Sequence, residues 1–331
     1  MISIKRAAVL ALLVLLATGS GAVVAVRLTG SSPVAFTASS LSAYEWVDTS
    51  WSKGASAYEP ELVVLKELGV TDLFVDITRA VTYEQSHSAA LVAYLTTFRR
   101  LVAEAAAKGL RVQALMGDLE WATSGPAGIN EALAVMTELR GISAGEMAAG
   151  FQLDVEPWGL PDWASHEVAY ALDYDQMVRQ VAAFWKAGNF PGTLGFAVPF
   201  WWNGIGGSVP DINPGTGLED PLTAVLTSLA PVPGSNLNVM AYSARPRAPG
   251  GTETMFKSDL ATAKSAGSRV TLLLGQDLAP DPAAVSSTFA GSTWHSWTTN
   301  VATLRSAFAS EPDFGGIAVE DTQALVLLHK G

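Results

Sequence analysis

The amino-acid sequence predicts an α/β fold, a (β/α)8 barrel preceded by an N-terminal hydrophobic signal or anchor segment. Helical stretches alternate with short apolar runs, eight such runs follow one another, and no glycine-rich phosphate loop follows the first of them. Short apolar strands that alternate with helices are typical of a parallel sheet, and eight repeats favour closure into a barrel. An open, doubly wound sheet is the alternative fold.

The chain begins with a basic start and a long apolar run. Lys5 and Arg6 precede the uncharged residues 7–26, a run long enough to span a bilayer. The positive charge before this run predicts that the rest of the chain lies on the extracytoplasmic side of the membrane. The small residues Val23-Val24-Ala25 also permit cleavage as a signal peptide. We therefore expect an extracytoplasmic protein, secreted or anchored to the cell membrane by residues 7–26. The predicted organisation is a signal peptide or membrane anchor at 1–27, a linker at 28–40 and a catalytic barrel domain at 41–331.

Each predicted strand follows a helix and a turn. The clearest case is Leu101–Lys108, a run of strong helix formers, which is followed by the helix-stopping Gly109 and the apolar run Val112–Met116. The predicted strands are Ala43–Val47, Asp72–Ile77, Arg111–Met116, Gly150–Val155, Gly195–Pro199, Leu237–Tyr242, Val270–Leu274 and Gly316–Val319. Helices predicted between them include Tyr58–Leu68, Tyr174–Ala187, Met255–Ala266 and Thr299–Ala309.

Composition narrows the possible functions. The formal net charge of -11 argues against a nucleic-acid partner, because phosphate binding needs a basic face. The chain has no cysteine, which excludes disulfides, thiolate nucleophiles and cysteine-ligated metals. None of the four histidines lies at a predicted strand end or in a metal-binding spacing, so we predict no metal and no cofactor. A carboxylate site for Mg²⁺ or Ca²⁺ formed by Asp76, Asp118 and Asp154 stays open.

Acidic and aromatic residues follow the predicted strands. In a (β/α)8 barrel the active site lies where the strands end, so these residues are expected at its mouth. Flat aromatic faces there suit the stacking of sugar rings, although each tryptophan can instead pack the top of the barrel. We therefore predict a polysaccharide or oligosaccharide as partner, with membrane contact through the N-terminal segment only. The predicted substrate-binding residues are Asp76, Asp118, Glu120, Trp121, Gln152, Trp158, Trp201, Trp202, Gln276 and Glu320.

The fourth strand carries the strongest signal. Side chains alternate along a strand, so Gln152, Asp154 and Glu156 share one face, and the apolar residues between them face the helices. A neighbouring carboxylate raises the pKa for the second proton of such a pair, which keeps Glu156 protonated as a general acid with Asp154 assisting. A polar network that only sets the strand register is the alternative.

Two motifs stand on the predicted strands 4 and 6: Gly150-Phe151-Gln152-Leu153-Asp154-Val155-Glu156 and Asn238-Val239-Met240-Ala241-Tyr242. In spacing and residue type they resemble the strand 4 and strand 6 motifs of glycoside hydrolase family 18, the chitinase-like barrels. The resemblance implies that Glu156 protonates the glycosidic oxygen, that Asp154 orients the substrate's 2-acetamido group, and that Tyr242 donates to the acetamido carbonyl. The substrate then supplies the nucleophile, so no second carboxylate is required.

The sequence also departs from that family. Ala149 and Gln152 stand where the family has acids, Ser243 follows the strand 6 tyrosine, and Val319-Glu320-Asp321 stands where the family has a tryptophan. These departures predict a glycan other than chitin. Two alternatives remain: a retaining glycosidase with two carboxylates, Glu156 and Glu320, and a non-catalytic glycan-binding or cell-wall barrel protein.

Overall fold

The computed structural model describes residues 35–140, 148–204, 209–215, 217–281 and 285–330. The predicted signal or anchor segment and the linker as far as residue 34 lie outside these ranges. Within them, no helix combines the length and the apolar character needed to cross a membrane.

Eight parallel strands form a closed barrel in which each strand pairs with its neighbour in sequence. β8 returns to β1, with Leu41 opposite Ile317 and Ala43 opposite Val319. The (β/α)8 prediction is confirmed, and the open sheet is excluded because the two edges pair with each other. The strands are β1 Leu41–Glu45, β2 Asp72–Asp76, β3 Arg111–Met116, β4 Gly150–Leu153, β5 Thr193–Pro199, β6 Asn236–Met240, β7 Thr271–Asp277 and β8 Phe314–Glu320.

Helices surround the barrel and return the chain from the end of one strand to the start of the next. Where a helix was predicted from an amphipathic run, the structure has one, and the observed helices begin several residues earlier. They are α1 Asp48–Trp51, α2 Ala55–Glu67, α3 Thr78–Gln85, α4 Ala90–Ala107, α5 Asn130–Arg140, α6 Trp163–Gly188, α7 Pro221–Leu229, α8 Thr252–Ser265, α9 Trp294–Phe308 and α10 Thr322–Lys330.

Strand alternation divides the apolar residues into two cores. One set of side chains faces the helices and forms the main core, to which β4 contributes Phe151, Leu153 and Val155. The other set points into the barrel and includes Tyr44 and Phe74. Because side chains alternate, the residues between Phe151 and Val155 must face the barrel axis. This parity decides which polar residues reach the mouth.

Candidate active site

The end of β4 places two carboxyl groups at the mouth of the barrel. Asp154 and Glu156 alternate with the helix-facing Leu153 and Val155, and both are partly buried. The loop after β3 lies directly against the backbone here, because a Cβ added to Gly117 would stand 1.9 Å from the Asp154 carbonyl oxygen. Only glycine permits this close approach, which holds the Asp154 backbone in place.

A tight turn after Glu156 supplies its hydrogen-bond partner. Residues Pro157–Gly159 form a single 3-10 turn that brings the Trp158 ring back over the carboxyl group. The Trp158 Nε1 donates to Glu156 Oε2 over 3.1 Å. Trp158 also makes an edge-to-face contact with Trp202, at a centroid distance of 5.2 Å, which limits the movement of its ring. The turn therefore orients the Glu156 carboxyl group.

Burial raises the pKa of both carboxyl groups. For Asp154 the pKa is raised well above its ordinary value, first by burial and then by the charges of Glu156 and Glu320. For Glu156 burial also raises the pKa, and the hydrogen bonds with Asp154 and Trp158 oppose that rise in part. The two groups interact directly, so they hold their protons as a pair. A carboxyl pair whose pKa values are raised in this way is better suited to donate a proton than two exposed carboxyl groups are.

A second hydrogen-bonded pair lies across the mouth. The Tyr242 hydroxyl donates to Glu320 Oε2 over 2.6 Å, which joins the end of β6 to the end of β8. Burial raises the pKa of Glu320 to about 7, against the partly opposing effect of the Tyr242 hydrogen bond. Burial, followed by the Glu320 charge, also raises the pKa of Tyr242 well above 10.0. Tyr242 therefore stays a hydrogen-bond donor over the whole physiological range.

The site includes two aromatic residues that sequence analysis missed, Tyr44 and Trp46. Tyr44 on β1 is 1% exposed and accepts a hydrogen bond of 2.7 Å from the Asn238 amide on β6. Burial raises its pKa first, and the charges of Asp154 and Glu320 raise it further, so its ring lies close beneath the carboxyl groups. Tyr44 also stacks on Trp46, at a centroid distance of 5.4 Å. The alternation along β1 was the available signal, because Tyr44 and Trp46 share a face.

The two predicted glutamines do not reach the mouth, and their assignment to substrate binding is corrected. Gln152 faces the barrel axis as predicted, but it is fully buried beneath Asp154. Gln276 faces the helices: its amide donates to Thr252 Oγ1 over 3.4 Å and accepts from Asn300 over 3.3 Å. Its neighbours Gly275 and Asp277 face the barrel axis. Because side chains alternate along a strand, Gln276 faces away from the axis.

The predicted tryptophans divide into two pairs. Trp121 and Trp202 are corrected, because they are 6% and 0% exposed within the main core and have no free face for a sugar. Trp202 packs edge-on against Tyr174 at a centroid distance of 4.7 Å. Trp158 and Trp201 are partly buried and stand edge to face with each other, with their centroids 6.3 Å apart. These two remain the candidates for contact with a sugar ring.

The remaining predicted acids have different positions. Asp76 is partly buried at the end of β2, and its Oδ1 accepts from the Thr78 amide over 2.9 Å. Asp118 and Glu120 are exposed on the loop after β3, where Asp118 Oδ1 accepts from the Glu120 amide. Across the ranges that the structure describes, no group of three or more His, Asp or Glu side chains is arranged to hold a metal ion. A carboxylate site from Asp76, Asp118 and Asp154 is therefore not supported.

Comparison with solved structures finds the same architecture. A GH18 chitinase from Cycas revoluta in complex with (GlcNAc)3 superposes with a TM-score of 0.50 at 14% identity, over 86% of this chain and 96% of that chain. The catalytic domain of a β-amylase from Paenibacillus polymyxa gives a TM-score of 0.52 at 9% identity, over 88% and 94%. These likenesses establish the fold. No family model matches the chain, and no curated protein does. The distant resemblance to chitinase-like barrels is thus confirmed at the level of fold.

The raised pKa values predict that stability falls as pH rises. The pKa is raised to about 7 for Glu61 and Glu320 and to about 6 for Asp277, in each case mainly by burial. A raised pKa means that the folded state holds more protons than the unfolded chain between the ordinary and the raised value. The free energy of unfolding therefore decreases from about pH 4 to pH 7.

We expect the melting temperature to be higher at pH 5 than at pH 8, and Glu320→Gln to reduce this difference. Thermal denaturation at constant ionic strength measures both quantities. A melting temperature that rises from pH 5 to pH 8 would contradict the raised pKa values of these carboxyl groups.

Proposed function

We propose that the protein is a glycoside hydrolase that acts on an extracellular or cell-wall polysaccharide, with Glu156 as its general acid. The observation that carries the proposal is the Asp154–Glu156 pair at the barrel mouth, where burial raises both pKa values and Trp158 orients the Glu156 carboxyl group. A general acid needs a pKa above that of an ordinary carboxyl group, and burial shifts the pKa of Glu156 in this direction. The likeness in fold to a chitinase and a β-amylase agrees with this function.

In the proposed reaction, Glu156 transfers its proton to the glycosidic oxygen as the bond from that oxygen to the anomeric carbon breaks. On an N-acetylated sugar, the acetamido oxygen of the substrate attacks the anomeric carbon, and Asp154 stabilises the resulting cyclic cation. Tyr242 lies across the mouth and donates a hydrogen bond to the acetamido carbonyl once the substrate displaces Glu320. Water then opens the cyclic cation, while Glu156 takes up its proton. Substrate assistance removes the need for a protein nucleophile.

Glycan partners agree with the charge of the chain and with its predicted export. A net charge of -11 does not repel neutral sugars. The basic start and the apolar residues 7–26 favour an extracytoplasmic location, where such polymers are found. N-terminal sequencing of the membrane and medium fractions tests this part of the proposal. A protein recovered with residue 1 intact in the cytoplasm would exclude export.

The function is tested by incubating the purified protein with a panel of polysaccharides and fluorogenic glycosides and analysing the products by mass spectrometry. The panel includes chitin oligosaccharides, peptidoglycan, mannan and starch. We expect cleavage of at least one N-acetylated glycan with release of a new reducing end. If several glycans bind and none is cleaved by the wild-type protein, the non-catalytic glycan-binding alternative is correct.

The two-carboxylate alternative assigns a nucleophilic role to Glu320. Its pKa of about 7 leaves a large fraction protonated at neutral pH, and Tyr242 already occupies one of its oxygens. Both features weaken a carboxylate as a nucleophile. We therefore expect Glu320→Gln to retain kcat within about tenfold, because hydrogen bonding to Tyr242 survives in the amide.

Glu320→Gln is assayed on the substrate that the panel identifies. A loss of about 10⁴-fold, with rescue by added azide, would instead identify Glu320 as the nucleophile of a retaining mechanism.

A further inference from the structure

Glu45, the last residue of β1, carries a carboxyl group that is buried outside the barrel wall. The residue is 1% exposed. Its neighbours Tyr44 and Trp46 face the barrel axis, where both belong to the inner core, so Glu45 faces the helices. A buried carboxyl group is costly unless hydrogen bonds satisfy its oxygens. The partners of Glu45 therefore show what this group does in the fold.

Four neutral donors bind the two oxygens of Glu45. Oε1 accepts from the Val47 amide over 3.0 Å and from Ser50 Oγ over 3.1 Å, both in the segment after β1. Oε2 accepts from the Tyr58 hydroxyl over 2.7 Å and from Thr322 Oγ1 over 2.6 Å. One carboxylate thus joins the segment after β1 to α2 and to the first residue of α10, where the helix dipole also favours a negative charge.

The bond between Thr322 and Glu45 crosses the closure of the barrel. The backbone pairing of β1 with β8 ends with Ala43 opposite Val319. β1 continues to Glu45 and β8 continues to Glu320, so the mouth ends of both strands lie beyond the last paired residues. The bond from Thr322 joins the two strands again at the mouth.

Each of the two joined segments carries a side chain of the candidate site. Trp46 directly follows Glu45 and lies half-buried against the inner core. Glu320 lies two residues before Thr322 and accepts from the Tyr242 hydroxyl. The candidate proton donor follows β4, which is adjacent to neither β1 nor β8. A shift at the closure would therefore disturb the contacts of a sugar more than the transfer of a proton.

We propose that Glu45 is a positioning residue, which through Thr322 holds the end of β1 with Trp46 against the segment after β8 with Glu320. The two strands then present both side chains to a glycan at a fixed separation. The coupling of the two segments stands on the hydrogen bonds alone. Its role in glycan binding rests on the proposed glycosidase function.

The positioning role is tested with Thr322→Val, which removes the hydroxyl and keeps the shape of the side chain. We expect KM on the substrate found in the panel to rise about tenfold and kcat to stay within about threefold, because the proton donor is not displaced. Glu45→Gln should raise KM as well, since its amide nitrogen faces two donors. The double variant should show no larger rise than the stronger single variant, because both changes break the same bond.

Ser228→Ala is the matched control. Ser228 Oγ on α7 donates to the buried Asp175 carboxylate over 2.6 Å, so this substitution also removes a hydroxyl donor from a buried acid in the helix layer. Both Ser228→Ala and Thr322→Val should lower the melting temperature by a few degrees. Lost stability alone reduces the amount of active enzyme and leaves KM unchanged. KM of Ser228→Ala should therefore equal that of the wild-type protein.

Hydrogen exchange followed by mass spectrometry measures the coupling without substrate. We expect the backbone amides of residues 46–51 and of residues 320–325 to exchange faster in Thr322→Val than in the wild-type protein. In Ser228→Ala both segments should keep their protection. Unchanged exchange of either segment in Thr322→Val would overturn the coupling.

The two measurements separate the parts of the proposal. Faster exchange with an unchanged KM in Thr322→Val would overturn the positioning role, and so would an equal rise of KM in Ser228→Ala. If the wild-type protein cleaves no glycan, the proposed function fails and the positioning role fails with it, while hydrogen exchange still decides whether Glu45 couples the two segments.

Discussion

Glu156→Gln is expected to lower kcat for glycoside cleavage by about 10²- to 10⁴-fold and to leave glycan binding nearly unchanged. The amide has the shape of the carboxyl group and still accepts the hydrogen bond from Trp158 Nε1, so the turn at Pro157–Gly159 keeps its geometry. It has no acidic proton to give to the glycosidic oxygen. Steady-state kinetics and calorimetric binding on one soluble oligosaccharide measure the two effects separately.

The control for this substitution is Glu67→Gln. Glu67 is exposed at the end of α2, outside the barrel, so the same chemical change there should leave kcat close to that of the wild-type protein. If Glu156→Gln retained full activity, Glu156 would not be the proton donor. If it lost binding and activity together, the carboxylate would act mainly in recognition.

Asp154→Asn is expected to lower kcat by about 10²-fold and to move the alkaline limb of the pH–rate profile to lower pH. In the wild-type protein, burial raises the pKa of both groups, and the charge of Glu156 raises that of Asp154 further, so the pair loses its last proton at a higher pH than a single carboxyl group would. An asparagine carries no charge and can donate to the Glu156 carboxylate, so the pKa of Glu156 falls. Glu156 then loses its proton at a lower pH. The profile of kcat against pH measures the shift.

Asp173→Asn is the control for the charge change, because Asp173 belongs to α6 outside the barrel. We expect its pH profile to overlie that of the wild-type protein. An alkaline limb that stays in place in Asp154→Asn would show that Asp154 does not share a proton with Glu156.

The local pattern of the sequence was enough to predict the strands and the direction of β4. Arg111–Met116 was predicted with its observed bounds, because a glycine stop and an apolar run mark both of its ends. Alternation predicted that Gln152 shares a face with Asp154, and this is confirmed. The alternation of side chains along a strand does not show, however, how far each side chain lies from the mouth of the barrel. Gln152 lies one step further from the mouth than Asp154, and this step separates a substrate contact from a buried amide.

Two errors have different causes. Gln276 follows an apolar run, but the alternation along Thr271–Asp277 puts it on the same face as Leu272 and Leu274, toward the helices. The hydrogen-bond partner of Tyr44, by contrast, lies far away in the sequence. The hydrogen bond between Tyr44 and Asn238 joins residues 194 positions apart in the chain. Such a pair becomes visible only when the barrel closes.

The bond between the Trp158 indole and the Glu156 carboxylate has a practical consequence. Indole emission responds to a charge placed beside its N–H group, so the ionisation of Glu156 is coupled to the fluorescence of a residue two positions along the chain. The protein therefore contains an optical probe of its own proton donor. The chain has 10 tryptophans, and the difference between the emission titrations of the wild-type protein and Trp158→Phe isolates the signal of Trp158 from that of the others. The measurement needs no substrate and no label.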